Sequence, residues 1–262
     1  MKKIDILKEI IDKKKERIIL AKQQICEEDL KAKAQNLPPT RHFIEAISKP
    51  KQISLIAEIK KQSPSAGIIR QDFNLLEIAR IYQECGVQAI SILTEEDYFG
   101  GSTSYINEVK NLTDRPILRK DFILEPYQVY ESRFYGADAI LLIADLLSRE
   151  KLSELMQIAQ GLGLATLVEV HNEKELKKVL GLKVPLIGIN NRDLHTLEVD
   201  FKITEKLFPL IPKDKVVVVE SSIKSYQDVL FLKILGISAV LIGEALMEAQ
   251  DIKKKVEEIM GW

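Results

Sequence analysis

From residue 55 onward, short continuous apolar runs alternate with longer stretches whose apolar residues recur every three or four positions. The first pattern fits strands buried on both faces, and the second fits amphipathic helices. The runs predict strands at 55–60, 89–93, 116–120, 139–143, 165–170, 186–190, 216–220 and 239–242. Helices are expected between them at 75–85, 104–112, 126–135, 150–160, 173–180, 203–208 and 227–235. Two more, at 244–247 and 252–260, close the chain. Gly86, Gly136, Gly163 and Gly236 fall just after helices, where a capping glycine belongs. Eight strand–helix units in series predict a closed parallel (β/α)8 TIM barrel. An open doubly wound sheet lacks its usual mark. Gly161-Leu162-Gly163 precedes a strand instead of following one, and no Gly-x-x-x-x-Gly-Lys loop occurs.

Ahead of the barrel, residues 3–35 read as one helix carrying Ile4, Leu7, Ile11, Ile18, Ala21 and Ile25, with Lys14 interrupting the stripe. Lys13-Lys14-Lys15-Glu16-Arg17 reads as a solvated face. The stripe is too short and broken to favour a coiled coil or a membrane-surface helix. Pro38-Pro39 ends the segment, and Phe43–Ile47 reads as a further short helix. The expected organisation is a single barrel domain over 1–262, with 1–50 as an N-terminal helical extension and 51–262 as the barrel.

Composition adds boundaries. The chain has 262 residues, 46% hydrophobic and 29% charged, an ordinary globular balance that allows a sizeable core. Lys plus Arg number 38 against 39 Asp plus Glu, which argues against a general nucleic-acid binder. Cys26 and Cys85 have no metal-like spacing and form no disulfide framework, which suits a reducing compartment. No secretory leader and no membrane span are expected, so the cytoplasm is the default setting. The Asn111-Leu112-Thr113 sequon is then accidental. No fused second enzyme is expected, because Trp262 follows soon after the last helix.

In this fold the chemistry sits at the C-terminal ends of the strands. Those ends carry Glu58 and Lys60 on the first strand, Lys120 on the third and Glu169 on the fifth. Asn190 and Arg192 follow on the sixth, Glu220, Ser221 and Ser222 on the seventh, and Gly243 and Glu244 on the eighth. Alternation puts Glu58 with Lys60, and Glu169 with His171, on common faces. Lysines facing carboxylates suit acid–base work on an anionic substrate. A lysine among apolar walls and other cations is expected to have a lowered pKa and to deliver protons near neutrality. Phosphate binding is expected after the seventh and eighth strands. His42, His171 and His195 lack ligand spacing, no metal is expected, and His171 reads as a polar lining residue. No Gly-x-Ser-x-Gly elbow appears.

The strand-end motifs resemble a known family. They are Ala57-Glu58-Ile59-Lys60-Lys61-Gln62-Ser63-Pro64-Ser65, Leu93-Thr94 with Tyr98-Phe99-Gly100-Gly101-Ser102, Leu118-Arg119-Lys120-Asp121-Phe122-Ile123 and Leu167-Val168-Glu169-Val170-His171. Gly188-Ile189-Asn190-Asn191-Arg192-Asp193-Leu194, Val219-Glu220-Ser221 and Leu241-Ile242-Gly243-Glu244-Ala245-Leu246-Met247 complete the set. Together they resemble indole-3-glycerol phosphate synthase, the barrel enzyme of tryptophan biosynthesis, over nearly the whole chain. The resemblance implies ring closure, decarboxylation and dehydration of 1-(2-carboxyphenylamino)-1-deoxyribulose 5-phosphate, without a cofactor. It implies Lys120 as general acid, Glu169 as general base, and Lys60 as holder of the substrate carboxylate and a possible second acid. Glu58 and Glu220 would tune the lysines, and Asn190 would bind a sugar hydroxyl. Ser63, Ser221 and Gly243 would meet the phosphate, with Ser222 and Glu244 beside it. Phe99, Phe122 and Leu141 would form the slot for the aromatic ring, and Arg192 would fasten the rim. A small phosphorylated substrate, no nucleic acid or membrane partner, and a monomer or weak homodimer are expected.

One position departs from the family. Glycine usually stands where this chain has Ser222, so the turn after the seventh strand is expected to be strained or to gain a hydroxyl donor. Two other readings compete with this one. Phosphoribosylanthranilate isomerase would need a different acid–base pair and no extension. A non-catalytic scaffold would have lost the strand-end charges.

Overall fold

Side-chain alternation sorts the strands of the barrel into an inner and an outer core. The computed structural model describes residues 5–262. The strands are β1 (Ser54–Ile59), β2 (Ala89–Leu93), β3 (Ile117–Lys120), β4 (Ala139–Ile143), β5 (Ala165–Val170), β6 (Leu186–Asn190), β7 (Val216–Glu220) and β8 (Ala239–Ile242). They pair in parallel, each with the next, and β8 closes on β1. The expected barrel is therefore present, with strand ends within about one residue of those read from the sequence.

Ile56, Leu118, Leu141, Leu167, Val218 and Leu241 fill the barrel interior. Their neighbours Leu55, Ile90, Ile140, Val168, Ile187, Val217 and Val240 face the surrounding helices. This two-sided burial explains why the strands read as unbroken apolar runs. The helices α4 (Leu75–Glu84), α5 (Ser104–Leu112), α6 (Pro126–Tyr135), α7 (Arg149–Gly161), α8 (Glu173–Leu180), α9 (Lys202–Leu207) and α10 (Tyr226–Leu235) follow β1 to β7 in order; α11 (Glu244–Met247) and α12 (Ile252–Met260) follow β8. A two-stranded hairpin, Gln62–Ser63 with Gly67–Ile68, sits in the β1–α4 connection.

The N-terminal segment differs from its expectation. It is two helices, α1 (Ile6–Gln24) and α2 (Glu27–Gln35), broken at Ile25, whose backbone is extended; Lys3 and Ile4 lie outside the described residues. Both α1 and α2 contact α6. Ile18, Leu30 and Ala34 pack with Tyr127 and Tyr130. Lys14 is also not solvated. It is buried, with Nζ 2.8 Å from Asp121 Oδ1 and 3.0 Å from Glu96 Oε2. Arg17 grips Asp97 with two hydrogen bonds, at 2.9 and 2.6 Å. Lys13, Lys15 and Glu16 are exposed as expected. Past α2, the Arg41 N–H donates to Asp138 at 2.6 Å, and the Arg41 side chain donates to the Arg115 carbonyl at 2.7 Å. Then α3 (Phe43–Ile47) inserts Phe43 and Ile47 into the interior cluster beside β1. The extension thus runs as a strap outside the barrel and ends as a plug.

Candidate active site

Register sets the height of each polar side chain in the barrel mouth. Leu93 pairs with Lys120, Ile143 with Glu169, and Asn190 with Glu220. The inward-facing end positions of β3, β5, β6 and β7 therefore carry lysine, glutamate, asparagine and glutamate. Lys120 Nζ lies 3.1 Å from Glu169 Oε2 and 2.9 Å from Glu220 Oε2. Lys60 Nζ lies 2.9 Å from Glu58 Oε1. These groups meet in a cavity of about 630 Å³ at the C-terminal mouth, a volume suited to a small organic ligand. Two glycines make room for the carboxylates. A β-carbon on Gly188 would stand 2.6 Å from Glu220 Oε1, and one on Gly243 would collide with the Glu58 carboxylate.

The charges set one another's protonation. Burial would lower the Lys120 pKa, but Glu169, Glu220 and Glu58 outweigh it and raise it well above the ordinary lysine value. The expected lowering is thus reversed, because three carboxylates, not other cations, face this ammonium. Burial would raise the Glu169 pKa, yet Lys120, His171 and Asn190 hold it well below the usual carboxylate range. Glu220 goes the other way. Burial and the neighbouring Glu169 and Glu58 charges outweigh Lys120 and push it up to about 7. No aligned hydrogen bond reaches either Glu220 oxygen among the described residues. At neutral pH the mouth therefore holds a charged ammonium (Lys120), an ionised carboxylate (Glu169) and a carboxyl near its midpoint (Glu220).

The remaining expected residues border the same cavity. Phe99 and Phe122 form a tilted aromatic pair with centroids 6.2 Å apart, and Leu141 lies with Phe122 in the same apolar cluster. Arg192 donates to Glu244 at 3.1 Å and to the Leu197 carbonyl at 3.2 Å, joining the β6 and β8 exits. Asn190 Oδ1 accepts from the Arg192 N–H at 3.0 Å and from the Ser221 hydroxyl at 2.8 Å. Ser63 Oγ accepts from the Ala66 N–H at 3.2 Å inside the hairpin turn. Ser221 and Ser222 both have φ +65°, and the Ser222 hydroxyl accepts from Asn191 Nδ2 at 3.0 Å. The expected strain at Ser222 is seen in its positive φ, whereas the hydroxyl expected as a donor is an acceptor in this contact.

The sequence reading missed part of the cavity wall. Leu7 and Ile10, from α1, line it. Leu7 stood in the apolar stripe read from spacing, but that stripe took Ile11 where the structure buries Ile10, and spacing along a helix does not say what the stripe covers. His171, expected as a polar lining residue, does not border the cavity; it stands beside Glu169, with its Nε2 3.1 Å from Glu169 Oε1. Glu95, Glu96 and Asp97 bring carboxylate oxygens within 4.8 Å of one another. That cluster is already used: Glu95 accepts the N–H groups of Asp97, Tyr98 and Phe99, while Glu96 and Asp97 hold Lys14 and Arg17.

The family description "Indole-3-glycerol phosphate synthase" matches residues 7–259. The chain belongs to the indole-3-glycerol phosphate synthase family. A relative of that name from Acetivibrio thermocellus is 49% identical over 257 residues, covering 97% of this chain and 98% of the relative. Another, from Caldanaerobacter subterraneus subsp. tengcongensis, is 48% identical over 258 residues, covering 98% and 99%. Among solved structures, 3-hexulose-6-phosphate synthase from Salmonella typhimurium is similar with TM-score 0.63 at 12% identity, over 80% of this chain and 97% of that one. A chain of the tryptophan synthase a2b2 complex from Pyrococcus furiosus gives 0.60 at 18%, over 80% and 98%. These two likenesses show the barrel fold alone. Membership of the family accounts for the strand-end motifs as a set. No helix among the described residues is long and apolar enough to cross a membrane.

Proposed function

We propose that Lys120 and Glu169 are the general acid and general base of the ring closure, and that the rest of the mouth binds and orients the substrate. The chain is a carboxy-lyase of tryptophan biosynthesis acting on a phosphorylated small molecule. Its reaction converts 1-(2-carboxyphenylamino)-1-deoxyribulose 5-phosphate to indole-3-glycerol phosphate, carbon dioxide and water. The observation that carries the assignment of roles is the 3.1 Å contact between Lys120 and Glu169 at the floor of the cavity.

The substrate has an anion at each end and a flat ring between. Phe99, Phe122 and Leu141 supply an apolar wall for the ring. Lys60 supplies charge for its carboxylate. Ser63, Ser221, Ser222 and Gly243 surround the place for the phosphate, with Arg192 and Glu244 bracing its rim. Holding the ring against the ketone removes much of the orientation cost of forming the bond. As that bond forms, the ketone oxygen becomes an alkoxide, far more basic than any ammonium. A lysine with a raised pKa therefore still gives up its proton downhill, and it is fully charged beforehand. Carbon dioxide then leaves and its electron pair returns to the ring. In the dehydration Glu169, already ionised, takes the proton from the carbon beside the nitrogen, and the hydroxyl leaves as water with a proton from Lys60, the second acid. The aniline nitrogen pushes electrons into the ring, so the chain's own acid and base suffice. Glu58 and Glu220 hold Lys60 and Lys120 until the substrate arrives, and Asn190, beside Glu169, is placed to bind a sugar hydroxyl.

The extension and barrel work as one unit, because α1 supplies Leu7 and Ile10 to the cavity. Cys26 and Cys85 are both free thiols, which supports a cytoplasmic setting; we take the chain to act there as a monomer or weak homodimer. The test is direct. Purified protein mixed with the carboxyphenylamino-deoxyribulose phosphate should develop indole fluorescence in step with released carbon dioxide. Neither signal appearing would overturn the reading.

A further inference from the structure

Glu169 is gripped from two sides, and only one grip belongs to the reacting groups. Its Oε2 faces Lys120 at 3.1 Å, and its Oε1 faces His171 Nε2 at 3.1 Å. The second contact is an ion pair without hydrogen-bond alignment. The other ring nitrogen of His171, Nδ1, lies 3.0 Å from Glu175 Oε2, which also accepts the His171 backbone N–H at 2.9 Å. Glu175 is itself fixed. Its N–H donates to the N-cap Asn172 at 3.0 Å, and the Asn172 amide donates back to its carboxylate. A continuous polar chain therefore runs from the exposed α8 cap, Asn172, through Glu175 and His171 to Glu169, and the last three side chains are buried or nearly so.

We propose that His171 is a positioning residue, clamped between Glu175 and Glu169 so that the base keeps its place and ionisation when Lys120 turns to the substrate. This rests on the reading of Glu169 as general base. Lys120 is the nearest cation to Glu169 Oε2, and it must move to serve the ketone oxygen. Oε2 is then free to accept a proton, while Oε1 stays anchored on His171. The ring meets a carboxylate at each nitrogen, so both nitrogens carry hydrogen, since a bare lone pair would face a negative charge. Burial alone would lower the imidazole pKa, and the two carboxylates push it up to about 10. The charged groups facing the ring are Glu169 on its own strand and Glu175 on α8. Beyond Glu169 stand Lys120 on β3, Asn190 on β6 and Glu220 on β7. Without His171, a buried carboxylate near Glu220 would lose its one fixed cation.

The experiment compares His171→Asn, Glu175→Gln and Glu169→Gln with the wild type across the pH range, alongside a 15N titration of the His171 ring in the wild type. In the His171 variant kcat should fall about tenfold to a hundredfold, as for a misplaced reacting group, with KM little changed. Its acid limb should move up by about one unit or more, because Glu169 has lost an opposite charge. Glu175→Gln should move both quantities in the same direction by less. The wild-type ring should stay protonated through neutrality. A neutral ring at pH 7, or a loss of kcat with no movement of the limb, would overturn the proposal; the ring titration decides even if the variants fold poorly. Retained turnover in Glu169→Gln would instead remove the general-base reading beneath it. An inactive Glu169→Gln beside wild-type behaviour in the His171 and Glu175 variants would sink this inference alone.

Discussion

Ser222 shows how one side chain can be both a cost and a contact. Its φ of +65° lies where L-residues are strained, while its hydroxyl satisfies Asn191 Nδ2. Asn191 is buried, and its Oδ1 already takes the Thr204 N–H and hydroxyl. Glycine and alanine here both lose the hydroxyl, but only glycine relieves the strain. Ser222→Gly should therefore be more stable than Ser222→Ala by about 1 kcal/mol in denaturant unfolding, and its KM should stay level or improve. Equal stabilities would mean that the backbone carries no strain. Lys120 poses the opposite problem. Replacing it with Met leaves Glu169 and Glu220 buried together without their shared cation. Breaking a buried pair costs about 3–5 kcal/mol when the remaining charge persists. Glu220 can escape by taking a proton, since it sits at about 7 even beside Lys120. The Lys120→Met Tm deficit should thus be large at pH 8 and smaller at pH 6. A deficit independent of pH would contradict this charge arrangement. The sequence suggests other cations around Lys120, but the charges that face its ammonium are carboxylates brought from other strands, which reverses the expected direction.

At the scale of elements, the strap is where reading and structure part most. Apolar spacing along 3–35 indicated helix, and helix is what forms, but neither the break at Ile25 nor the fate of Lys14 was visible. A lysine inside a basic run looks solvated until its tertiary partners are known. Lys14 lies against Asp121, whose carboxylate Arg119 and Thr94 also hold, well below the usual pKa range despite burial. Asp121 stands between Lys120 and Phe122, so Lys14 ties α1 to the strand end that bears Lys120. Lys14→Met should cost about 2 kcal/mol by taking one of two cations from the buried Asp121 carboxylate. It should also raise KM, because Leu7 and Ile10 ride on the same helix. Proteolysis within α1 should become faster in the variant. An unchanged KM and an unchanged cleavage rate would show that the strap does not shape the cavity. The strands, by contrast, were legible nearly to the residue, since burial on both faces leaves a run that few other elements produce.

For the whole molecule, two buried groups make stability fall from mildly acidic to alkaline pH. His171 has a folded pKa raised to about 10. Its contribution is complete below the unfolded value of about 6.5 and is lost as pH rises through the folded value. Glu220, a carboxyl raised to about 7, binds its proton more tightly when folded, so its ionisation costs stability between roughly 4.5 and 7. Asp121, held low, works against them only under acid conditions. Tm should be higher near pH 6 than near pH 9.5, and His171→Asn should flatten the alkaline part of that decline. A Tm that climbs with pH over this span would refute the assignment. The barrel and the ring of polar strand ends were readable because the fold places chemistry at one end of every strand. The pairings across the mouth were not, since they depend on register and on the space left by Gly188 and Gly243. The most direct test of the central claim is steady-state kinetics of Lys120→Met beside Lys60→Met. The account predicts that Lys120→Met loses at least about a hundredfold in kcat, as expected for a missing general acid, while Lys60→Met acts chiefly by raising KM. Near-normal kcat in Lys120→Met with a collapse in Lys60→Met would contradict it and move the acid to β1.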